Sequence, residues 1–541
     1  MSMKKILLFA LLSLIMLNVI SCNKSKDYVE FIPNEADFVL QVNPKKIAEK
    51  GEFNSIEQYS VAKNMISEIE KTSPELKALY ENIKNSPTSA GIDIISPLYI
   101  FGTKNQGKTI VTLLLNMSDK STFEEHLKTI YKAIYKREIS FTTENGFTFI
   151  EGEKKPFLTW DKKKLIFIAG EFGTKTKTLN AYFDALTTNE TPLLTNNSFK
   201  DFVKNTQDIN LWYKGSFISY FGNKMNSNHH DLDLSQSSWS TYISFNNDNV
   251  SFTQKFHPDP ATKVKIEKRP MWKSKINTDF YKYFPATSYA NFSFAVHPKN
   301  ARILTFKDHI VHEFLTTYGI DPSILENSFE GEMLFSIFDF ETSHTTVIQD
   351  YFNAKQANNH KLVTPQFALA GKMKDRAFYD HLIQQMGTNL KQEGSYYQFR
   401  FNKSNSLYIT SKNNLLYITN NQLQLTNFLF DRVSKTNFIQ SDYSNRAKNP
   451  LFAYVNLDMA TYPDEVKTFM YQQIPLGQTP SVQNMLNNFS AVQLNVTDEY
   501  SKNGALILKN KDKNSLAIVL KLLDEIYREY SNPTMTSYES N

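Results

Sequence analysis

A chain of 541 residues is too long for one ordinary core and implies two to four domains. Hydrophobic residues at 41% and charged residues at 21% can build real cores, and a formal charge of only +5 excludes the electrostatic footprint of a nucleic-acid binder. A single cysteine excludes an internal disulfide framework and multi-cysteine zinc or iron–sulfur centres.

The first elements in chain order read as an address. Lys4 and Lys5 precede an apolar run from Ile6 to Ile20, broken only by Ser13 and Asn18. This is the charged and apolar pattern of a secretory signal, and it is short for a membrane span, which needs about 20 residues. The lone cysteine ends the run. Val19-Ile20-Ser21-Cys22 resembles the lipobox of bacterial lipoproteins. That resemblance implies cleavage between Ser21 and Cys22 and attachment of acyl chains, palmitate among them, to Cys22. Two or three chains on one residue hold stably where one holds only marginally. Removal of Lys4 and Lys5 leaves 58 basic against 55 acidic residues, a net +3. Asn23 stands where an aspartate would mark inner-membrane retention, and Lys24 to Asp27 holds a single acid. The expected location is therefore the outer membrane, the periplasmic leaflet preferred over the cell surface.

The body reads as one unit built twice. Phe38 to Lys45 and Phe292 to Lys299 are both alternating strands that run into Pro-Lys, with Phe38, Leu40 and Val42 on one face and Phe292, Phe294 and Val296 on the other copy's equivalent face. Pro44 and Pro298 suit the first turn of a helix. Met117-Ser118-Asp119 to Leu127 recurs as Met373-Lys374-Asp375 to Leu382. Trp160 to Ile168 recurs as Thr410 to Ile418, and Ile209 to Tyr213 as Leu451 to Val455. Strand pairs flank Asn246 to Asn249 and Thr497 to Tyr500. Matches in one order with a near-constant offset indicate an internal repeat.

The expected fold class is α+β: two tandem related units, each an antiparallel sheet with helices packed on one face. The expected boundaries are 1–21 signal peptide, 22–30 anchor tether, 31–256 first unit, 257–283 linker, 284–530 second unit and 531–541 disordered tail. Ser121 and Glu124 read as a capping box for the helix carrying Phe123, Leu127, Ile130 and Ile134. The last strong helix, Ser515 to Arg528, is expected to bury Leu516, Val519, Leu520 and Leu523. Ile32, Pro33, Ala36, Val42 and Asn43, following the lipobox, resemble the opening of a Bacteroidetes envelope lipoprotein family known only as a domain of unknown function. That resemblance implies export and an unassigned role. It carries no catalytic residues across.

The search for chemistry returns no catalytic, cofactor or metal site. His229-His230-Asp231-Leu232-Asp233 is the densest group of possible metal ligands, but adjacent side chains diverge and the polar flanks read as a solvated loop. His126 and His381 match across the repeat and read as helix positions at the core edge. No nucleophile elbow, phosphate loop, dinucleotide fingerprint or zincin motif is present. The leading expectation is a non-enzymatic, lipid-anchored protein that binds or scaffolds an envelope protein or polysaccharide, without cofactor or nucleic acid. One alternative is an envelope- or polymer-acting hydrolase, which predicts a cleft with convergent ionisable groups in one unit only. The other is an envelope stress sensor.

Overall fold

A computed structural model describes residues 27–531 apart from 106, 152–157, 172–173, 189–190, 219–232, 301–315, 317–318, 320, 352–353, 401–405, 434–435 and 475. The chain divides into two compact units. The first comprises residues up to Asn226, Asp233–Asp259 and the stretch from Asn510, and the second comprises Ser227–Leu232 and Pro260–Lys509.

The first unit carries β1 (Phe38–Val42), β2 (Ile92–Asp93), β3 (Leu98–Asn105), β4 (Lys108–Met117), β5 (Phe141–Glu144), β6 (Phe147–Ile150), β7 (Leu158–Trp160), β8 (Lys164–Gly170), β9 (Ile209–Lys214), β10 (Ser238–Phe245) and β11 (Asn249–His257). They form an antiparallel sheet ordered β5-β6-β7-β8-β4-β3-β1-β9-β10-β11, with β2 against the end of β4. The second unit carries β12 (Ala290–Ala295), β13 (Phe329–Tyr351), β14 (Ala354–Met373), β15 (Leu390–Glu393), β16 (Tyr396–Arg400), β17 (Ser406–Lys412), β18 (Leu415–Thr419), β19 (Leu451–Asn456), β20 (Phe489–Val496) and β21 (Ser501–Leu508). Its order is β15-β16-β17-β18-β14-β13-β12-β19-β20-β21, the same path strand for strand.

Backbone hydrogen bonds outside the ladders repeat as well. Leu193 N donates to Ile32 O at 2.8 Å, as Phe438 N does to Phe284 O at 2.8 Å. Asn43 N to Asp208 O corresponds to Ala295 N to Pro450 O, and Met117 N to Lys163 O to Met373 N to Asn414 O. These pairs align Ile32 with Phe284 and Asn43 with Ala295. The strand match read from sequence is therefore two residues out of step, and Pro298 has no counterpart in Pro44. Pro44 does open a helix, Pro44–Lys50, capped by Asn43. Pro298 opens a turn beyond which lie undescribed residues. The match of Leu165 to Leu415 is one residue out of step, which places the two on opposite faces of the sheet.

Both sheets are covered on both faces, not on one. In β4, Leu115 joins the core beneath the helices Ser60–Thr72, Pro74–Asn85 and Lys120–Tyr135, while its neighbour Leu114 points into a second core with Val39, Phe101, Ile166 and Trp212. The run Leu113-Leu114-Leu115 is the signature of a strand buried on both sides. In the second unit Leu415 and Tyr417 enter one core and Leu416 a separate one. Double coverage also explains why the expected inner faces are the shallower ones. Val39 and Gln41 are buried while Phe38, Leu40 and Val42 are half-buried, and Asn291, Ser293 and Ala295 are buried while Phe292 is 38% exposed.

The unit boundaries shift from the sequence reading. Asp27–Phe31 is a 3-10 helix whose Tyr28 and Val29 are buried, so the folded body starts inside the expected tether. The expected linker holds a helix at Pro260–Lys268 and then buries Ile276, Phe280 and Tyr281 in the second unit's core. The Ser515–Ser531 helix belongs to the first unit, not the second. It buries Leu516, Ala517, Ile518 and Leu522 and leaves Leu523 50% exposed. Its buried Asp524 accepts the Ser60 N–H at 2.6 Å and so caps a helix 464 residues earlier in the chain. The Lys120–Tyr135 helix is capped by Asp119, which accepts from Thr122 N at 2.8 Å. Ser121 is not the cap, and Glu124 instead accepts the Trp160 indole N–H at 3.0 Å.

Candidate functional site

Ser21 and Cys22 lie outside the described residues, as do His229, His230, Asp231 and Leu232. Among the described residues no helix is long and apolar enough to cross a membrane, and no group of three or more His, Cys, Asp or Glu is placed to hold a metal ion. His126 sits on the Lys120–Tyr135 helix with Nδ1 3.4 Å from the Ala90 carbonyl. Burial pushes its pKa below the ordinary imidazole value, partly opposed by that carbonyl. His381 lies on the Ala377–Met386 helix with Nε2 buried and unpartnered.

The second unit has an open cleft of about 420 Å³ at the end of its sheet where β13 begins, β14 ends and β17 turns into β18. Phe280 and Phe428 supply its apolar wall, and Lys282, Lys372, Lys374 and Lys412 face it together with Asp279 and Glu330. Two of its lysines, Lys372 and Lys412, are tied to carboxylates that do not line it. Glu332, with a side chain only 9% exposed, receives Lys273 Nζ at 3.1 Å, the Asn277 N–H at 3.0 Å and Lys372 Nζ at 3.6 Å. Lys412 Nζ donates to Asp431 at 2.5 Å and to the Leu429 carbonyl at 2.9 Å. That lysine, with the Tyr283 hydroxyl at 2.6 Å, holds the Asp431 carboxyl below the usual carboxylate range. Such a site is equipped to take a polar ligand by exchanging hydrogen bonds with a preset network. A second, shallower pocket of about 550 Å³ in the same unit is bounded by Asp464, Lys467, Tyr471 and Lys509.

The corresponding end of the first unit is built differently. Asn116 stands where the second unit has Lys372, and it donates to Asp93 at 2.8 Å. The Tyr28 hydroxyl closes the same region on the Pro97 carbonyl. The β7–β8 turn is Asp161-Lys162-Lys163-Lys164. Asp161 accepts the backbone N–H of Lys163 at 2.6 Å and of Lys164 at 2.7 Å, an Asx turn that fixes the loop. Lys164 Nζ also reaches Asp161 at 2.7 Å and lies 4.9 Å from the centroid of Phe31, while Lys162 and Lys163 are exposed. The turn in the second unit is Lys412-Asn413-Asn414-Leu415, with both asparagines at positive φ. Sequence reasoning missed the cleft because its walls come from stretches near positions 280, 330, 373, 413 and 428, which no local motif connects.

Residues 28–516 match the model of the family described as a domain of unknown function, DUF4836, and the chain belongs to that family. No curated protein matches it. Among solved structures, that of TP0453 in crystal form I is similar over 46% of this chain and 86% of its own, with 14% sequence identity and a TM-score of 0.24, too slight a likeness to carry an argument.

Proposed function

We propose that the protein is a lipid-anchored, non-enzymatic binding or scaffolding protein of the bacterial cell envelope, with a body made by tandem duplication. The observation that carries this reading is the shared ten-strand path of the two units combined with a charged cleft in the second. Duplication frees one copy to diverge. Here the first copy follows the Ser21-Cys22 motif and holds the attachment, while the second holds the ligand cleft. The anchor lies in the outer membrane and the ligand is an envelope protein or polysaccharide.

The test has two parts. Cells fed labelled palmitate label the protein through Cys22, and Cys22→Ala abolishes the label and releases the chain from the membrane fraction. Protease shaving of intact cells, with a periplasmic protein as integrity control, then assigns the face. Digestion with the control intact means a surface location and a glycan, nutrient or host ligand. Survival until the outer membrane is opened means an envelope assembly partner. An unlabelled wild-type chain rejects the reading.

A hydrolase is the second reading, favoured by the ionisable groups that line the second unit's cleft. Binding is preferred because Glu332 and Asp431 are already engaged by lysines. Turnover of an envelope polymer that is lost in Asp279→Asn or Glu330→Gln, with folding intact, reverses that order.

A further inference from the structure

We propose that the second unit's cleft binds a carboxylate-bearing sugar of an acidic polysaccharide. This rests on the reading above that the cleft holds the ligand, and it names the ligand's chemistry.

The first argument is the set of side chains left open. Lys372 and Lys412 are engaged by Glu332 and Asp431. Lys282 and Lys374 make no ion pair among the described residues. Lys282 Nζ lies 5.0 Å from the centroid of the Tyr283 ring, and Lys374 Nζ donates to the Asn327 carbonyl at 3.4 Å. Asp279 and Glu330 are exposed, and they too make no ion pair among the described residues. The cleft therefore presents two cations that only donate and two carboxylates that only accept. Asn413 and Asn414, exposed at the β17–β18 turn, add amides that do both.

The second argument is which ligand uses the whole set. A bare polyanion meets the two lysines but is repelled by Asp279 and Glu330. A neutral glycan gives hydroxyls to those carboxylates and leaves Lys282 and Lys374 without a charged partner. A sugar acid supplies both groups, its carboxylate to the lysines and its hydroxyls to Asp279 and Glu330.

The third argument is the scarcity of open apolar surface. Phe280 and Phe428 form the wall but are only 2% and 1% exposed. A protein interface is built around apolar and aromatic anchors that are open before binding, and this cleft has almost none. Its volume of about 420 Å³ suits roughly one or two sugar rings.

The experiment is titration calorimetry on the full chain, purified in detergent, with tetragalacturonate, its methyl ester and tetraglutamate as probes. Tetragalacturonate is expected to bind, and the ester and the peptide to bind at least about tenfold more weakly. Lys282→Gln/Lys374→Gln should weaken tetragalacturonate at least about tenfold, to the level of the ester. Asp279→Ala/Glu330→Ala should weaken the acid and the ester by the same factor, because the hydroxyls are common to both. Lys177→Gln/Lys200→Gln in the first unit is the control and changes binding by less than about twofold. Circular dichroism confirms that the variants fold, and the comparison of probes on the unaltered chain stands without them. Absence of tetragalacturonate binding, or equal binding of the ester, overturns the proposal. So does equal binding of tetraglutamate, which marks a site for acidic peptides, or equal loss in the control. Palmitate labelling is read separately in cells, so a labelled chain that ignores the sugar acid rejects this inference and leaves the anchor standing.

Discussion

On the face that holds the larger aromatic core, the two units place different residues at matched strand positions. In the first unit the strands bring Phe101 and Trp212, both fully buried, and the segments closing over them contribute Ile32, Leu193, Phe199 and Phe202. In the second unit Asn291, Ser293, Ser336, Ala368 and Ala370 are buried on the strands beside Leu334, Tyr417 and Phe452, and the closing segments bring Tyr281, Phe284 and Phe438. The trade continues across a strand pair. Phe38 faces Gly102 in the first unit, and Ala290 faces Ile337 in the second. Interiors are close-packed, so a fold keeps total volume at each level and is indifferent to which element supplies it. The same path of strands is thus compatible with two different cores, and among the described residues both leave buried polar atoms without a hydrogen-bond partner, Asp208 Oδ1 and Asn210 Oδ1 in the first unit and Ser336 Oγ and Tyr417 OH in the second among them.

Transplanting one unit's residue into the other is the direct way to break this comparison. Phe101→Ser, which installs the second unit's residue, should cost the most, about 3–5 kcal/mol by chemical denaturation, because no ring moves in to fill the gap. A loss below about 1 kcal/mol would mean that the two cores are interchangeable residue by residue. Next in size is Glu332→Ala. It strands Lys273 and Lys372 in a partly buried site and should cost about 3 kcal/mol, visible in the same measurement, with no counterpart in the first unit. Gly102→Ile should cost about 1–3 kcal/mol, since even a Cβ there runs into the Phe38 ring. Adding Phe38→Ala should recover most of the loss by recreating the second unit's pair. Failure of that rescue in a double-mutant cycle would sink the volume-exchange account.

Two smaller effects sharpen the contrast. Asp524→Ala removes the cap on the Ser60 helix and should lower stability by about 1–2 kcal/mol, with unchanged stability as the contrary outcome. The smallest is a pH effect at His126, whose folded pKa lies below its unfolded one because of burial. As pH falls through about 6.5 the unfolded chain takes up the proton first. Stability is therefore full above that value and declines until the folded pKa is passed. His126→Gln should flatten this part of a stability–pH curve.

Much of the architecture was legible in the sequence. The α+β class and the alternating strands follow from period-two patterns that local sterics and burial impose. Register was not legible. The sequence match for β12 is two residues out of step because Phe-Ser-Phe-Ala-Val resembles β1 at either offset, and only the ladder hydrogen bonds distinguish them. The helix face at Leu523 was missed for a related reason. Residues 516–523 are apolar nearly all round, so periodicity does not choose a side, and the contact with the Ser60 helix does.

From its sequence alone the chain specifies the α+β class and the alternating pattern of its strands, because these depend on neighbours a few residues away. Tertiary structure decided the rest. It brought the C-terminal helix back to the first unit, put Tyr28 in the core, covered both faces of each sheet, and gathered five separated stretches into the second unit's cleft. Each of these depends on which distant surfaces exclude water together, and pairing of that kind leaves no local pattern to read.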